Sequence, residues 1–394
     1  MAAMNNDLSA PDAARLLGVS LPTLYSYVSR GLLASSSEGA SRRKRYAQEE
    51  VLRLAARKND AKRGGQAAVA AMHWGLPVLE TQISHIVDGR LLYRGHDAAA
   101  LAPHASLEAV ASLLWDDGES EYFQQDAPAL PPGLASAPDA PPFTRAMLAM
   151  AMLSSLPAPA DMLASGPALM RVLAAALLQT APSALPLHRQ LAQAWQADPA
   201  QAELLRAALV LLADHELNAS TFAVRCVAST GASLPAALSS GLAALSGDRH
   251  GGGSAAARRM LVAALAAAAP EACIDEFYSS SAPELAGFGH PLYPAGDPRA
   301  AYLLGRLSAL SHAYPLLPAI LAACTVASER LDARPNADLA LAAMELAFGW
   351  PEGAGMTMFA LARSAGWIAH AAEQAASAAL IRPRARYIGR HPRT

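Results

Sequence analysis

The stretch AQAELLRAALVLLADHELNASTFAVRCVAS, residues 200–229, decides the fold class. Alanine, leucine and arginine are strong helix formers, and few of the β-branched or aromatic residues that favour strands interrupt them. Segments of the same kind recur at 144–155, 165–180, 233–247, 255–268, 299–311, 316–330, 337–349 and 355–380. Because aromatic residues also make up only 6% of the chain, the sequence predicts an all-α protein dominated by one large helical domain.

Charge is distributed unevenly along the chain. Residues 1–63 contain 11 Lys and Arg against 6 Asp and Glu, whereas the remaining residues contain 20 against 27. Such a split indicates two domains with different partners, and the basic one favours an anionic partner such as nucleic acid. Residues 64–74 are polar and contain two glycines, so they are predicted to be a linker.

Cysteine usage and hydropathy predict the compartment. Cys226, Cys273 and Cys324 are far apart and in no metal-ligand spacing, which suits a reducing cytoplasm. No charged segment followed by an apolar run opens the chain, so no secretory signal is predicted. The longest uncharged run, 307–328, contains two prolines and is expected to form buried helices and not a membrane span. The sequence therefore predicts a cytoplasmic protein.

The first 63 residues are predicted to form two short helices and a wing. Ser9 is a candidate cap of the first helix, and Leu24 and Val28 form the buried stripe of the second. The stretches AARLLGVSLPTLYSYVSRGLL and RRKRY resemble the MerR-like winged helix-turn-helix family. That resemblance implies a DNA-binding set that consists of Thr23, Tyr25, Ser26, Arg42, Arg43, Lys44 and Arg45. One such domain needs a symmetric dimer to read enough sequence. The alternative is a small packing or dimerisation module with a solvated charge run.

Polar islands interrupt the apolar background at 214–225, 247–254, 287–300 and 338–382, the first of them within a predicted helix. They contain the candidate site residues His215, His250, His290, Arg299, Asp338, Arg363 and Arg382. Several converging arginines suit a di- or tricarboxylic ligand. Histidines and a carboxylate can divide acid and base roles between them. The other helical histidines, at 85, 188 and 312, are interpreted as ordinary core residues.

Seven motifs, in order, extend this constellation from about residue 75 to residue 394. They are LETQISHIVDGRLLYRGHD, DHELNASTFAVRCVASTGA, HGGGS, GFGHPLYPAGDPRA, PNAD, ALARSAGWIAHAAEQ and IRPRARYIG. Together they resemble the citrate synthase family. The resemblance implies an all-α homodimer, or a higher homo-oligomer, with large and small helical domains. The small, mobile domain, about 251–348, is inserted in the large one, and here the helix-turn-helix domain precedes both.

The resemblance also assigns roles. Asp338 would remove a proton from the α-carbon of an acyl-CoA, His250 would hydrogen-bond to the thioester oxygen, and His290 would protonate the carbonyl of oxaloacetate. The carboxylates of oxaloacetate would be held by His215, Arg299, Arg363 and Arg382 of the partner subunit. No metal and no cofactor is implied, because coenzyme A enters as part of a substrate.

The sequence departs from the family pattern at the third histidine. Family members often carry Arg directly after this histidine and Lys three residues later, where they serve the phosphates of coenzyme A; here Pro291 and Pro294 stand instead. Acetyl-CoA and propionyl-CoA both remain candidate substrates, as does the reverse use of the site to cleave citryl-CoA. The alternative function is a DNA-binding regulator that uses the synthase-like domain to sense oxaloacetate, citrate or acyl-CoA.

Overall fold

The structure is a computed structural model of the chain. It describes residues 7–17, 19, 24, 28, 36–37, 44–47, 51, 79–116, 123, 126–131, 133–134, 139–155, 162–281, 286–377, 379–382 and 389. The chain divides into two compact units, Met1–Glu80 and Thr81–Thr394.

The first unit combines short strands with a helix. Strand β1 (Asp7–Ser9) leads into helix α1 (Ala10–Leu17), and strands β2 (Ser36–Ser37) and β3 (Lys44–Ala47) follow. The antiparallel sheet has the order β1-β3-β2, and β2 and β3 form the predicted wing. The hydroxyl of Ser9 accepts a hydrogen bond from the backbone N–H of Asp12 at 3.4 Å, which confirms the predicted cap.

A small core of its own holds this unit together. Leu24 is fully buried with Tyr46 and Val51, and Val28 packs against them, which confirms the predicted stripe. Of the predicted DNA contacts, Lys44 is exposed and Arg45 is half-buried on β3. The others, Thr23, Tyr25, Ser26, Arg42 and Arg43, lie outside the described residues.

The second unit begins with a sheet that the helix-forming composition did not predict. Strands β4 (Ser84–Val87), β5 (Arg90–Tyr93) and β6 (His96–Asp97) pair antiparallel in this order. Asp88 and Gly89 connect the first two with φ angles of 50° and 71°. An Asp-Gly pair with positive φ at both positions is the geometry of a two-residue hairpin turn. That dipeptide was the signal in the sequence for these strands.

The other long elements in the described part of the second unit are helices. They are α2 (Ala98–Leu101), α3 (Leu107–Trp115), α4 (Pro142–Ser154), α5 (Gly166–Leu178), α6 (Leu187–Ala194), α7 (Pro199–Leu212), α8 (Ala219–Ala228), α9 (Leu234–Leu245), α10 (Gly253–Ala266), α11 (Pro270–Ser281), α12 (Pro298–Ala309), α13 (Leu317–Leu331), α14 (Ala337–Phe348) and α15 (Ala354–Ser377). Helix α15 packs against α3, α5, α7, α8 and α9, whereas α10 packs against α11, α13 and α14. The predicted all-α class is confirmed.

The quoted stretch 200–229 is not one helix, which corrects the prediction. Helix α7 ends at Leu212 and α8 begins at Ala219. Between them Glu216 adopts a φ of 50°, and the side chain of Asn218 caps α8 by accepting a hydrogen bond from Thr221 N at 3.0 Å. Asn favours such caps over helix interiors. The break places His215 in a bend between two helices.

Two further sequence interpretations are wrong. His188 is buried, as expected of a core residue, but His85 and His312 are exposed. His85 alternates with the buried Ser84 on β4, so it points to the opposite face of the sheet. His312 lies in the turn that follows α12. Among the described residues, no helix is both long enough and apolar enough to cross a membrane.

Candidate active site

Three aromatic side chains from two loops meet in the second unit. The Nε2 atom of His215 and the hydroxyl of Tyr293 are 3.0 Å apart. The rings of His215 and His290 are 5.0 Å apart edge to face, and those of His290 and Tyr293 are 4.9 Å apart. Contacts of His215 with His290 and Tyr293 therefore join the bend between α7 and α8 to the loop before α12.

Arg299 lies directly beside this cluster in the first turn of α12. Its guanidinium binds Asp297 through Nε at 3.0 Å and Nη2 at 2.8 Å, and it lies 5.6 Å from the centre of the Tyr293 ring. The same carboxylate accepts hydrogen bonds from the backbone N–H groups of Arg299 and Ala337, both at 3.0 Å. Burial lowers the pKa of Arg299, but the carboxylate outweighs burial, so the pKa is raised above its usual value. Asp297 thus fixes Arg299 to the start of α14.

Arg363 on α15 is as deeply buried but is far less well paired. Its Nε donates to the backbone oxygen of Leu212 at 3.0 Å. Both terminal nitrogens, Nη1 and Nη2, are buried and have no hydrogen-bond partner among the described residues. Burial, together with the charge of Arg299, lowers the pKa of Arg363 to about 10, although Asp214 opposes this shift. An anion with two oxygens would supply the missing partners.

The HGGGS motif forms the loop that enters α10. The Nε2 atom of His250 lies 2.8 Å from the hydroxyl of Ser220 on α8. Burial first, and then the charge of Arg363, lowers the pKa of His250 to about 4. The imidazole is therefore neutral near pH 7, and one of its ring nitrogens can donate a hydrogen bond.

Asp338 lies in the first turn of α14, which Asn336 caps by accepting from Asp338 N at 3.0 Å. Its carboxylate accepts no hydrogen bond from a described residue. Burial raises the pKa of Asp338 to about 6, although the charge of Arg299 opposes the shift. A Cβ atom on Gly253 would collide with Oδ2 of Asp338, so only glycine lets the HGGGS loop approach this closely.

The two remaining histidines are also neutral. Burial and then Arg299 lower the pKa of His290 to about 4, and the same two causes lower that of His215 well below its usual value. The Nδ1 atom of His290 accepts the backbone N–H of Leu292 at 3.2 Å, so the neutral ring carries its proton on Nε2.

Six of the seven predicted substrate-site residues therefore converge. The charge of Arg299 shifts the pKa values of His215, His290, Asp338 and Arg363. Arg382 is exposed and makes no hydrogen bond or ion pair with the other six in the described part of the chain. Its predicted role across a subunit interface stays a prediction. The described residues contain no cluster of three or more side chains that could hold a metal ion.

Sequence reasoning missed the side chains that support the site. Tyr293 and Asp297 lie within the motif GFGHPLYPAGDPRA, and the signal for Asp297 was an Asp directly before Pro at a helix start, which is a helix-cap pattern. Asp214, next to His215, is fully buried, accepts from Ser84 Oγ and lies 3.4 Å from Nε2 of His370. These contacts join residues more than 100 positions apart, and no local pattern marks them.

Two family models match the chain. The model described as "Citrate synthase, C-terminal domain" matches residues 71–384, which include all seven predicted substrate-site residues. The model described as "Helix-turn-helix domain" matches residues 8–59. The helix-turn-helix prediction is confirmed, whereas the MerR-like class and DNA binding stay predictions.

Individual relatives agree with the first match. Citrate synthase 2 of Bacillus subtilis is 29% identical over 355 residues, which are 80% of this chain and 94% of that protein. The citrate synthase of Haloferax volcanii is 35% identical over 194 residues, 48% of this chain and 50% of that protein. The chain thus spans about half the length of several curated relatives that it matches. The crystal structure of citrate synthase from Thermotoga maritima superposes with a TM-score of 0.68 at 25% identity, covering 81% of this chain and 96% of that chain.

Proposed function

The chain belongs to the citrate synthase family, and from this premise we propose that it condenses an acyl-CoA with oxaloacetate to give citrate or 2-methylcitrate and CoA. The observation that carries the proposal is Arg363, whose two buried terminal nitrogens lack a partner among the described residues. They are shaped for a carboxylate and lie in one site with Asp338 and neutral histidines.

The first step is removal of a proton from the α-carbon of the acyl group. Asp338 takes this proton, and its pKa of about 6 makes it a stronger base than an ordinary aspartate while leaving it ionised at neutral pH. The electron pair of the C–H bond moves towards the thioester oxygen. The neutral ring of His250 stabilises this oxygen by donating a hydrogen bond from its N–H group.

The second step forms the carbon–carbon bond. The enolate carbon attacks the keto carbon of oxaloacetate. Arg363 and His215 bind its carboxylates, and Arg299 and Arg382 of the partner subunit are the further contacts that the family resemblance implies. The keto oxygen takes up a proton from Nε2 of His290, which is the protonated nitrogen because Nδ1 accepts from Leu292. Water then hydrolyses the thioester and releases CoA.

Release of free thiol tests the proposal directly. Purified protein with oxaloacetate and acetyl-CoA or propionyl-CoA is expected to release thiol, and Asp338→Ala is expected to abolish the release. Failure of both thioesters and of citryl-CoA cleavage would contradict the enzyme assignment. One methylene in an apolar pocket changes binding by only about 1–3 kcal/mol, so the ratio of kcat/KM for the two thioesters must be measured.

Assembly and location follow the same premise. The homodimer, or a higher homo-oligomer, is proposed because Arg382 is exposed in the isolated chain, as expected of a residue that serves a partner subunit. Light scattering of the purified protein tests this, and a monomer at assay concentrations would contradict it. The proposed substrates are cytoplasmic metabolites, which fits the predicted location.

DNA binding is the second candidate function, favoured by the helix-turn-helix match at residues 8–59 and by the exposed Lys44 on the wing. Replacing Arg42, Arg43 and Arg45 with Ala is expected to weaken binding to all DNA sequences and to reduce its salt dependence. Unchanged binding would contradict the wing assignment. A ligand-dependent affinity for the DNA upstream of its own gene, without thiol release, would favour the sensor function over the enzyme.

A further inference from the structure

A short antiparallel pairing joins the residues that precede the two proposed catalytic groups His290 and Asp338. Gly289 N donates to the backbone oxygen of Arg334 at 2.7 Å, and Asn336 N donates to that of Gly287 at 2.9 Å. The side chain of Asn336 adds a hydrogen bond to the oxygen of Gly289 at 3.1 Å. Arg334 therefore pairs with the residue directly before His290 and lies four positions before Asp338.

The side chain of Arg334 begins against the loop that follows His290. Gly296 has a φ of 119°, and a Cβ atom built on it would lie 3.6 Å from both Cβ and Cγ of Arg334. The apolar part of the Arg334 side chain thus covers Gly296, whereas Arg334 as a whole is exposed to solvent. The side chain of Arg334 therefore starts beside the loop 291–296.

The charge of Arg334 is not paired with a carboxylate of any described residue. Residues 286–300 and 332–342 contain two arginines, and Asp297 neutralises Arg299. Nearby, Arg258 is paired with Glu345 and Arg330 with Asp275. The guanidinium of Arg334 makes no hydrogen bond or ion pair with any described residue. Arg334 therefore offers an unpaired guanidinium beside His290 and Asp338, which an anionic ligand can bind without breaking an existing pair.

We propose that Arg334 binds the phosphates of the acyl-CoA substrate. The inference rests on the proposed condensation, in which the thioester must reach both His250 and Asp338 while the phosphates remain nearer the surface. A guanidinium binds phosphate oxygens through two parallel hydrogen bonds. The loop that follows His290, residues 291–296, contains no basic residue. Pro291 and Pro294 stand where family members often carry Arg and Lys.

The test compares acyl-CoA with the matching acyl-pantetheine, which carries the same thioester but no phosphate. In Arg334→Gln, KM for acyl-CoA is expected to rise about 10- to 100-fold, as for loss of a hydrogen bond to a charged group. KM for acyl-pantetheine, KM for oxaloacetate and kcat are expected to stay within about twofold. The matched control is Arg306→Gln, which removes an exposed arginine from α12 and is expected to leave both thioesters unaffected.

Two kinetic outcomes would overturn the proposal. An unchanged KM for acyl-CoA would mean that Arg334 does not touch the phosphates. An equal rise for both thioesters would mean that the residue only positions the loop.

A direct binding measurement separates this proposal from the proposed function. If the wild-type protein turns over neither thioester, calorimetric titration with CoA itself still measures the contact. Weaker CoA binding by Arg334→Gln than by wild type and Arg306→Gln would support it, whereas equal binding, or no binding to wild type, would overturn it.

Discussion

Arg299 and Arg363 are both buried, but only Arg299 is paired with a carboxylate. Arg299 gives two nitrogens to Asp297, at 3.0 and 2.8 Å. Arg363 donates from Nε to the backbone oxygen of Leu212, and its Nη1 and Nη2 lack partners among the described residues. The pKa follows the pairing: it is raised for Arg299, whereas burial lowers that of Arg363 to about 10.

The same contrast separates two sets of side chains. The saturated group consists of Tyr293, Asp297 and Arg299, which satisfy one another or their neighbours. The open group consists of the half-buried Asp338 and the buried Arg363, whose charges have no hydrogen-bonded counter-ion among the described residues. Because an unpaired buried charge costs stability, we interpret the open group as retained for ligand and chemistry and the saturated group as the frame that positions it.

Asp338→Asn is expected to have the largest effect. Asparagine keeps the shape but cannot accept the proton, so kcat should fall by about 10²- to 10⁴-fold. The free energy of unfolding at pH 7.5 should not fall, because the substitution removes an uncompensated charge. Thiol release and urea unfolding measure the two quantities. A variant that retains activity would show that Asp338 is not the base.

The raised pKa of Asp338 also predicts two pH dependences. The base must be ionised to act, so kcat/KM is expected to fall as the pH drops below about 6. Stability changes in the other direction: the native state prefers the protonated carboxyl, and this contribution is lost as the pH rises through about 6. The stability advantage of Asp338→Asn over wild type should therefore grow between pH 4.5 and pH 7.5, and an advantage that shrinks over this range would contradict the assignment.

Asp297→Asn tests the saturated group. It leaves Arg299 buried without its counter-ion, so the free energy of unfolding should fall by about 3–5 kcal/mol. Asp275→Asn is the matched control, because it breaks the exposed pair with Arg330 and should cost less than about 1 kcal/mol. Equal losses in urea unfolding for the two variants would show that Arg299 does not depend on its partner.

Arg363→Met should separate ligand binding from stability. Methionine fills much of the same volume without a charge, and replacing a buried charge with an apolar side chain is often neutral or stabilising. KM for oxaloacetate should rise by at least about 100-fold, because the substrate loses two charge-assisted hydrogen bonds. A fall in the free energy of unfolding above about 3 kcal/mol would instead place Arg363 in the frame.

The sequence indicated which residues belong to the site, but it did not show which of them contact one another. His250 and His290 stand beside glycines that interrupt apolar segments, and the helical composition around them left few other places for chemistry. The sequence did not show that residues 200–229 break at Asn218, because a cap residue inside a strong helical pattern is a weak signal. Nor could spacing reveal that Gly253 approaches Asp338, since that contact depends on how α10 packs against α14.

Tyr293→Phe is expected to have the smallest effect and tests whether the saturated group extends to His215. Phenylalanine keeps the ring contacts but leaves Nε2 of His215 without its partner at 3.0 Å. An unsatisfied buried group costs about 1–3 kcal/mol, so KM for oxaloacetate should rise about tenfold with a modest loss of stability. Burial raises the pKa of Tyr293, which keeps its hydroxyl protonated, so the KM effect should be constant between pH 6 and 9. Tyr314→Phe removes a hydroxyl bonded to Asp198 at 2.5 Å and should leave KM unchanged. If Tyr293→Phe changes the free energy of unfolding but not KM, the hydroxyl only supports packing, and the saturated group does not position His215.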